Sequence, residues 1–399
     1  MNSPSKTKKT NSIKVALIHG GEMAPYIHPI FEELSRKVDL IVYYCLVNSN
    51  VHRWDLWPRR YYYRYKVLPR IPIKTSIGTL SLNPSVLNEI IKNRPDIVVI
   101  GNWVDLTMWL TFAIAKLLKI PIIYWTEGIR EPQSILGMIT RPFRMLLIKR
   151  SNAIIVPGKL SKNYVISLGA DAEKVFIARN AIDNKLFIEL SDKYRSCKEE
   201  LKSQLGLKGK VVVLYVGQLI KRKGVEHLIK AYGKLKQEYD NLALIILGSG
   251  PLEYYLKNLS SSLKLKDIKF VPSGMKLKEL IKFYCLADIF VLPTLEDVWG
   301  FVINEAMACG LPVIASQASQ AAIEMIRPGE NGYIVKPRDS NQIYKALKIL
   351  VHNQKLRRRM GEKSREIILQ EFDLSTMVNS FFSAIKYCCI HHRRFGELV

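Results

Sequence analysis

The sequence has six cysteines (Cys45, Cys197, Cys285, Cys309, Cys388 and Cys389) but no CxxC pair, which speaks against a zinc knuckle or a redox dithiol. It has no GxxxxGK-Ser/Thr loop, so a P-loop ATPase is not indicated. No stretch of about 20 residues is both apolar and free of charge, which is what a membrane-crossing helix requires. The polar start MNSPSKTKKTNS runs directly into IKVALIHGG, leaving no room for the apolar core of a secretory signal. Residues 1–12 are therefore expected to be a disordered basic lead, and the protein to be cytoplasmic with reduced thiols. No short internal repeat or low-complexity tract is present. Acids are also scarce: 35 Asp and Glu stand against 60 Lys and Arg, a formal net charge of +25. Lys and Arg exceed the acids by 13 in residues 1–184 and by 12 in residues 185–399, so both halves carry the charge. Such a surface attracts anionic membranes, nucleic acid or phosphorylated small molecules alike, and charge alone does not choose among them.

The chain is 399 residues long, beyond the roughly 250–300 at which a single core stops growing, so two domains are expected. In the first half, IKVALIHGG, DLIVYYCLV, PDIVVIGN, IPIIYWTE and NAIIVPG read as short buried strands, with helical stretches such as SVLNEIIKN and LTMWLTFAIAKLLK between them. The polar run RNAIDNKLFIELSDKYRSCKEELKSQLGLKGK then interrupts the pattern, and KVVVLYVGQL opens a second series of the same kind. Alternating strands and helices build parallel sheets covered on both faces, with ligands at the carboxyl ends of the strands. The expected organisation is a first doubly wound domain at 13–184, a second at 185–375, and a final amphipathic helix at 376–399 that crosses back onto the first. Cys388 and Cys389 lie beside His391 and His392, but neighbouring residues on a helix point in different directions, so packing is favoured over a metal site.

Two stretches of the second half carry candidate chemistry. VGQLIKRKGVEHLI, 216–229, joins a strand, a glycine turn, the basic run around Arg222 and Lys223, and a helix start. Backbone N–H groups at a helix N-terminus beside an ammonium suit a diphosphate, although an exposed basic turn has the same composition. LEDVWGFVINEAMACGLPVIA, 295–315, sets Asp297 and Glu305 eight positions apart, with Glu305 inside an apolar run. A carboxylate there can accept from two hydroxyls of one ring, and burying it without partners is costly. The alternative is that Glu305 serves its own helix start and Asp297 is solvated.

The whole string resembles the signature of family 4 retaining glycosyltransferases of the GT-B fold: an acid, seven residues, then Glu leading into a helix and strand. The resemblance extends through VGQLIKRKGVEHLI, LGSGPLEYYL, ADIFVLPT and ENGYIV, covering nearly all of residues 211–345. It implies an α/β GT-B fold, two Rossmann-like domains facing a central cleft, with a nucleotide-diphosphate sugar as donor substrate. On this resemblance Glu305 would hold the ribose hydroxyls and Asp297 the donor sugar. Backbone groups at Gly300, Phe301 and Val302 would contact sugar or diphosphate, Lys223 would neutralise the diphosphate, and Gly21 would let the first domain's backbone approach it. The sequence departs from the family pattern at three positions. The first acid is Asp297 rather than Glu. Gln218 stands where a basic residue is frequent, leaving Lys223 and Arg222 to the phosphates. Glu127 stands where many relatives have histidine, either orienting an acceptor, stabilising positive charge at the anomeric carbon, or pairing with Arg130 as a turn acid. The chain has no DxD motif, which fits a reaction needing neither metal nor other cofactor.

VHRWDLWPRRYYYRYKVLPRIPIK, 51–74, holds seven basic residues against the single acid Asp55, interleaved with aromatics. Arg59, Arg60, Arg64 and Lys66 suit an anionic membrane surface, single-stranded nucleic acid, or a basic strand and loop packed within the domain. TRPFRMLLIKR, 140–150, adds to the first of these. The favoured reading is a hexosyltransferase, peripheral on the inner face of the plasma membrane, acting on a saccharide or lipid-linked acceptor for cell-surface polysaccharide or glycolipid synthesis. The rivals are a nucleotide-sugar epimerase on the same fold and a non-catalytic nucleic-acid- or membrane-binding protein, nucleic acid being the less favoured partner.

Overall fold

The computed structural model describes residues 12–21, 27–46, 61–75, 78–130 and 135–392. The chain divides into two compact units. The first runs to Ala178 and includes the segment from Met377 onward; the second spans Arg179–Thr376.

In the first unit the elements are β1 (Lys14–His19), α1 (His28–Ser35), β2 (Asp39–Tyr44), β3 (Arg64–Val67), β4 (Ile71–Thr75), β5 (Gly78–Leu82) and α2 (Ser85–Asn93). They continue as β6 (Ile97–Ile100), α3 (Leu106–Leu117), β7 (Ile122–Trp125), α4 (Ile135–Ile139), α5 (Arg141–Arg150), β8 (Ala153–Val156), α6 (Lys159–Ser167) and β9 (Val175–Ile177). Seven strands form a parallel sheet in the order β3-β2-β1-β6-β7-β8-β9, while β4 and β5 pair as a separate antiparallel ribbon. The central strands are continuous apolar runs because helices cover both faces: all four residues of β6 and of β8 are buried.

The second unit contains α7 (Asn184–Arg195), α8 (Lys198–Gln204), β10 (Val211–Val216), α9 (Val225–Lys236), β11 (Leu242–Leu247), α10 (Glu253–Ser262), β12 (Ile268–Val271), α11 (Leu277–Leu286) and β13 (Ile289–Leu292). There follow α12 (Phe301–Ala308), β14 (Val313–Ser316), α13 (Gln320–Met325), β15 (Gly332–Val335), α14 (Ser340–His352) and α15 (Gln354–Glu371). Six parallel strands lie in the order β12-β11-β10-β13-β14-β15. The order reverses direction between β10 and β13, which makes the carboxyl ends of those two strands the place where a doubly wound sheet opens a crevice.

The boundaries shift by a few residues: the division falls between Ala178 and Arg179 rather than after residue 184, and the second unit ends at Thr376. The polar run belongs to the second unit and is folded. It forms α7, whose first turn is capped by Asp183 accepting from the Leu186 N–H at 3.1 Å, and α8. Of the buried residues on α7, Asn184 and Ser191 are polar and only Phe187 is apolar, so a helix that packs into the core reads as a polar connector. Asn184 pays its burial by donating to the carbonyls of Ile368 and Phe372, at 3.1 and 2.9 Å.

The last helix, α16 (Leu374–His391), packs with the first unit. Phe381 is fully buried and meets Trp125 edge-on at 5.0 Å between ring centroids, and Tyr387 meets Phe176 at 5.5 Å. Phe381→Ala is expected to destabilise the first unit by roughly 3–5 kcal/mol through the cavity it leaves. Urea denaturation with hydrogen exchange at β7 as the local probe checks this, and unchanged exchange there would show that α16 carries no core weight.

Candidate functional site

The chain leaves β10 through Gln218, whose carbonyl accepts from the Tyr215 hydroxyl at 2.9 Å, and enters a tight turn at Lys221–Lys223 before α9. That turn is clamped onto the loop after β13. The Arg222 carbonyl accepts from the Leu295 N–H at 2.7 Å and from the Thr294 hydroxyl at 3.0 Å. Gly224 closes the turn at φ +62°, and a Cβ there would come within 2.4 Å of the Pro293 carbonyl, so a side chain would force the two loops apart.

The clamp brings together side chains 74 positions apart: the Lys223 ammonium donates to Asp297 Oδ2. The Arg222 guanidinium lies 3.8 Å from the other Asp297 oxygen and donates to the Glu296 carbonyl at 3.3 Å. Asp297 is buried, and its own N–H is fixed to the Ala318 carbonyl at 3.0 Å. The carboxylate expected on the donor sugar and the ammonium expected on the diphosphate are thus each other's partners.

Beyond Asp297 the backbone turns at Gly300, φ +106°, where a Cβ would sit 2.8 Å from Ser319 Oγ. This glycine starts α12, so Phe301 and Val302 occupy the helix's first turn, where the dipole presents its positive end. The turn is held by the buried Trp299, whose indole N–H donates to Asn304 Oδ1 at 2.9 Å, while Asn304 Nδ2 donates to the Asn180 carbonyl at 3.0 Å.

One turn further along α12, Glu305 Oε2 accepts from the Tyr284 hydroxyl at 2.6 Å. Burial pushes the Glu305 carboxyl up to about 7, and the Tyr284 hydrogen bond opposes that rise. Tyr284 in turn has its phenol held well above its ordinary value by burial and by the Glu305 charge. Among the described residues Tyr284 is the one hydrogen-bonding partner the carboxylate has. Tyr284 was missed in the sequence because it stands in the apolar run of α11, where an aromatic reads as core. A tyrosine rather than phenylalanine in that run was the available signal.

The remaining candidates lie in the first unit. Gly21 follows β1, with the His19 imidazole 3.0 Å from where a Cβ would stand. Its neighbour Gly20 is the tighter position, its missing Cβ facing Asn102, Asp105 and Met108 at 2.5–2.9 Å. Glu127 lies half-buried just beyond β7, its carbonyl accepting from the Ser161 hydroxyl at 3.3 Å. Arg59 and Arg60 fall outside the described residues. Arg64 and Lys66 stand on the exposed edge strand β3, each already paired with an acid: Arg64 with Asp39, and Lys66 with Glu89 at 2.6 Å. Tyr63 from the same run is buried, its hydroxyl bonded to Tyr44 at 2.6 Å and to His28 at 2.5 Å. Around residues 61–67 the run is therefore an exposed edge strand anchored by Tyr63, with the charges of Arg64 and Lys66 each met by an acid. Among the described residues no cluster of three or more His, Cys, Asp or Glu is placed to hold a metal ion, and no helix is long and apolar enough to cross a membrane.

Two doubly wound units of this topology define the GT-B class of glycosyltransferase folds. The second half of the chain matches the family profile "Glycosyl transferases group 1" over residues 197–367, and the first half matches "Glycosyltransferase Family 4" over residues 23–186. Each half is thus similar to a glycosyltransferase domain over most of its length. Among curated proteins, the chain is 25% identical over 297 residues to a sulfoquinovosyl transferase of Arabidopsis thaliana, covering 72% of this chain and 56% of that one. It is 27% identical over 247 residues to a capsular polysaccharide biosynthesis glycosyltransferase of Staphylococcus aureus, covering 59% and 57%. The chain spans little more than half the length of these curated relatives. Among solved structures it resembles HepE of Anabaena in complex with UDP-glucose, with a TM-score of 0.72 at 18% identity over 94% of this chain and 99% of that one.

The raised Glu305 carboxyl sets a pH dependence of stability. Its folded-state value of about 7 lies above the ordinary 4.5, so the folded protein binds the proton more tightly than the unfolded chain. The stability this contributes is fully present below pH 4.5 and is lost as pH rises through 7. Glu305→Gln is expected to flatten that loss. Denaturant unfolding of both proteins at pH 5 and pH 8 measures it, and parallel losses in the two would exclude Glu305 as the source.

Proposed function

We propose that this protein transfers a hexose, with retention, from a nucleotide-diphosphate sugar to a saccharide acceptor that is lipid-linked, in cell-surface polysaccharide or glycolipid synthesis. The observation that carries the donor reading is the Glu305 carboxylate. It is partly desolvated, supplied with a single protein hydrogen bond, and set one turn into the helix that begins at the β10–β13 opening. Its free lone pairs suit the two vicinal hydroxyls of a ribose. HepE, which shares the fold, binds UDP-glucose.

In this reading Lys223 serves the diphosphate, and Asp297 holds its ammonium in place until the donor arrives. As the sugar–phosphate bond breaks, negative charge grows on the β-phosphate. Lys223, Arg222 and the N–H groups at the start of α12 are already oriented to receive it, and such pre-oriented donors lower the barrier without reorganisation. Gln218 would line the same opening, and Asp297 would meet the donor sugar once Lys223 engages the phosphates. In the first unit, Glu127 is assigned to the acceptor side and Gly21 to the backbone approach to the donor diphosphate. No step requires a metal.

The membrane part of the proposal rests on the second of the two stretches singled out in the sequence, 140–150, rather than on 51–74. Residues 106–126 and 132–170 contain no Asp or Glu. Within them α3 and α5 meet through Trp109 and Phe143, edge-on at 5.7 Å, and expose Leu117, Phe143 and Leu146 beside Lys116, Lys149 and Arg150. Apolar side chains ringed by cations without acids suit an anionic bilayer.

Two measurements test these readings. Calorimetry with UDP and other nucleoside diphosphates is expected to show selective binding, weakened roughly tenfold or more in Glu305→Ala and in Lys223→Ala, the scale of a charge-assisted hydrogen bond. Equal affinity in both variants would remove these residues from the donor site. Sedimentation with phosphatidylglycerol vesicles is expected to lose the Phe143→Asp, Leu146→Asp double variant and retain Arg64→Ala. The reverse pattern would return the docking role to the basic strand.

A further inference from the structure

The second unit has a cavity of about 360 Å³ that the donor reading does not use. It opens beside Asp288, which immediately precedes β13, and beside Pro312, which immediately precedes β14. It therefore lies at the amino edge of the sheet whose carboxyl edge holds Lys223, Asp297 and Gly300. Its lining is cationic on balance: Arg195 from α7, Lys198 from α8, and Arg357, Arg358 and Arg365 from α15 stand against Asp288 and Glu362, the latter paired with Arg358 at 3.0 Å.

The compensation of these charges is incomplete. Asp288 is shared between Lys198 at 2.7 Å and Lys202 at 2.9 Å, and Arg365 is matched by Asp192 at 2.7 Å. Arg357 donates only to the neutral carbonyls of Leu350 and Val351, at 2.7 and 2.8 Å. Among the described residues no carboxylate pairs with Arg195 or Arg357. Two guanidiniums also converge on one point: Arg195 Nη2 lies 2.9 Å and Arg365 Nε 3.1 Å from where a Cβ on Gly310 would stand. Gly310 has φ +75°, so both the backbone and the guanidiniums keep side chains away, and the floor of the cavity stays open. Burial holds the Lys198 ammonium below its ordinary value, and the neighbouring Lys202 and Arg357 add to that effect against the pull of Asp288.

Like charges gathered around an open floor are unfavourable unless an anion joins them. We propose that this cavity is a second ligand site, recognising the diphosphate group of a small phosphorylated molecule through Arg195, Lys198 and Arg357. Planar guanidiniums match phosphate oxygens in paired hydrogen bonds, and the volume holds a group of nucleotide or sugar-phosphate size. Because the site faces the opposite edge of the sheet from the donor residues, it can fill without displacing the donor.

The test is calorimetry of the full chain with inorganic pyrophosphate, in wild type, Lys223→Ala, and the Arg195→Ala, Arg357→Ala double variant. Pyrophosphate is expected to bind wild type and Lys223→Ala, and to bind the double variant roughly tenfold or more weakly. The double variant should keep its urea midpoint and the Lys223-dependent part of its UDP binding. Binding abolished by Lys223→Ala, or unchanged in the double variant, would overturn the second site, as would no pyrophosphate binding at all. If the double variant unfolds, Arg195→Ala alone carries the comparison, since that side chain is exposed and has no protein partner to lose among the described residues. Failure of UDP to bind would count against the donor reading and leave this outcome readable.

Discussion

A single carbonyl oxygen organises the carboxyl edge of the second unit. By accepting from both the backbone and a side chain of the loop after β13, Arg222 O joins two loops that the sheet topology merely makes adjacent. The loop carrying Asp297 is anchored on its other side by the Asp297 N–H, which donates to the Ala318 carbonyl at 3.0 Å. Between these two anchors the Lys223–Asp297 pair takes its position.

The same unit uses buried polar groups as fasteners elsewhere. Asn304 links the start of α12 to the incoming segment at Asn180, and Asp288 ties β10 to α8 by accepting from the Val212 N–H at 2.8 Å and from Lys202. Each is satisfied on more than one side, which is the condition under which a polar group specifies geometry instead of weakening a core. Fasteners of this kind hold the backbone around them in fixed relative positions.

The central strands were legible because a strand covered on both faces is an unbroken apolar run, as in VVVLYV and LALIIL. The edge strand β3 and the helix α7 were not. All four residues of β3 are exposed, so nothing in its composition separates it from a loop, and α7 hides a packed helix behind two polar contacts. At the site, Asp297 and Glu305 could be singled out from spacing and an odd carboxylate. That Asp297 engages Lys223, and that Glu305 leans on Tyr284 from another helix, are consequences of strand order that no local pattern encodes.

The helix from Leu374 to His391 gives the chain an unusual schedule. Its residues Met377, Val378, Phe381, Ala384, Ile385 and Cys388 are all buried with the unit that is synthesised first. During translation that first unit must wait, its sheet formed but one side of its core open, while roughly two hundred intervening residues emerge and fold; domains otherwise tend to complete in order from the N-terminus. The unit made first is thus the last to be finished, and the exposed core face it carries in the interval is where a chaperone or a misfolding partner would find it.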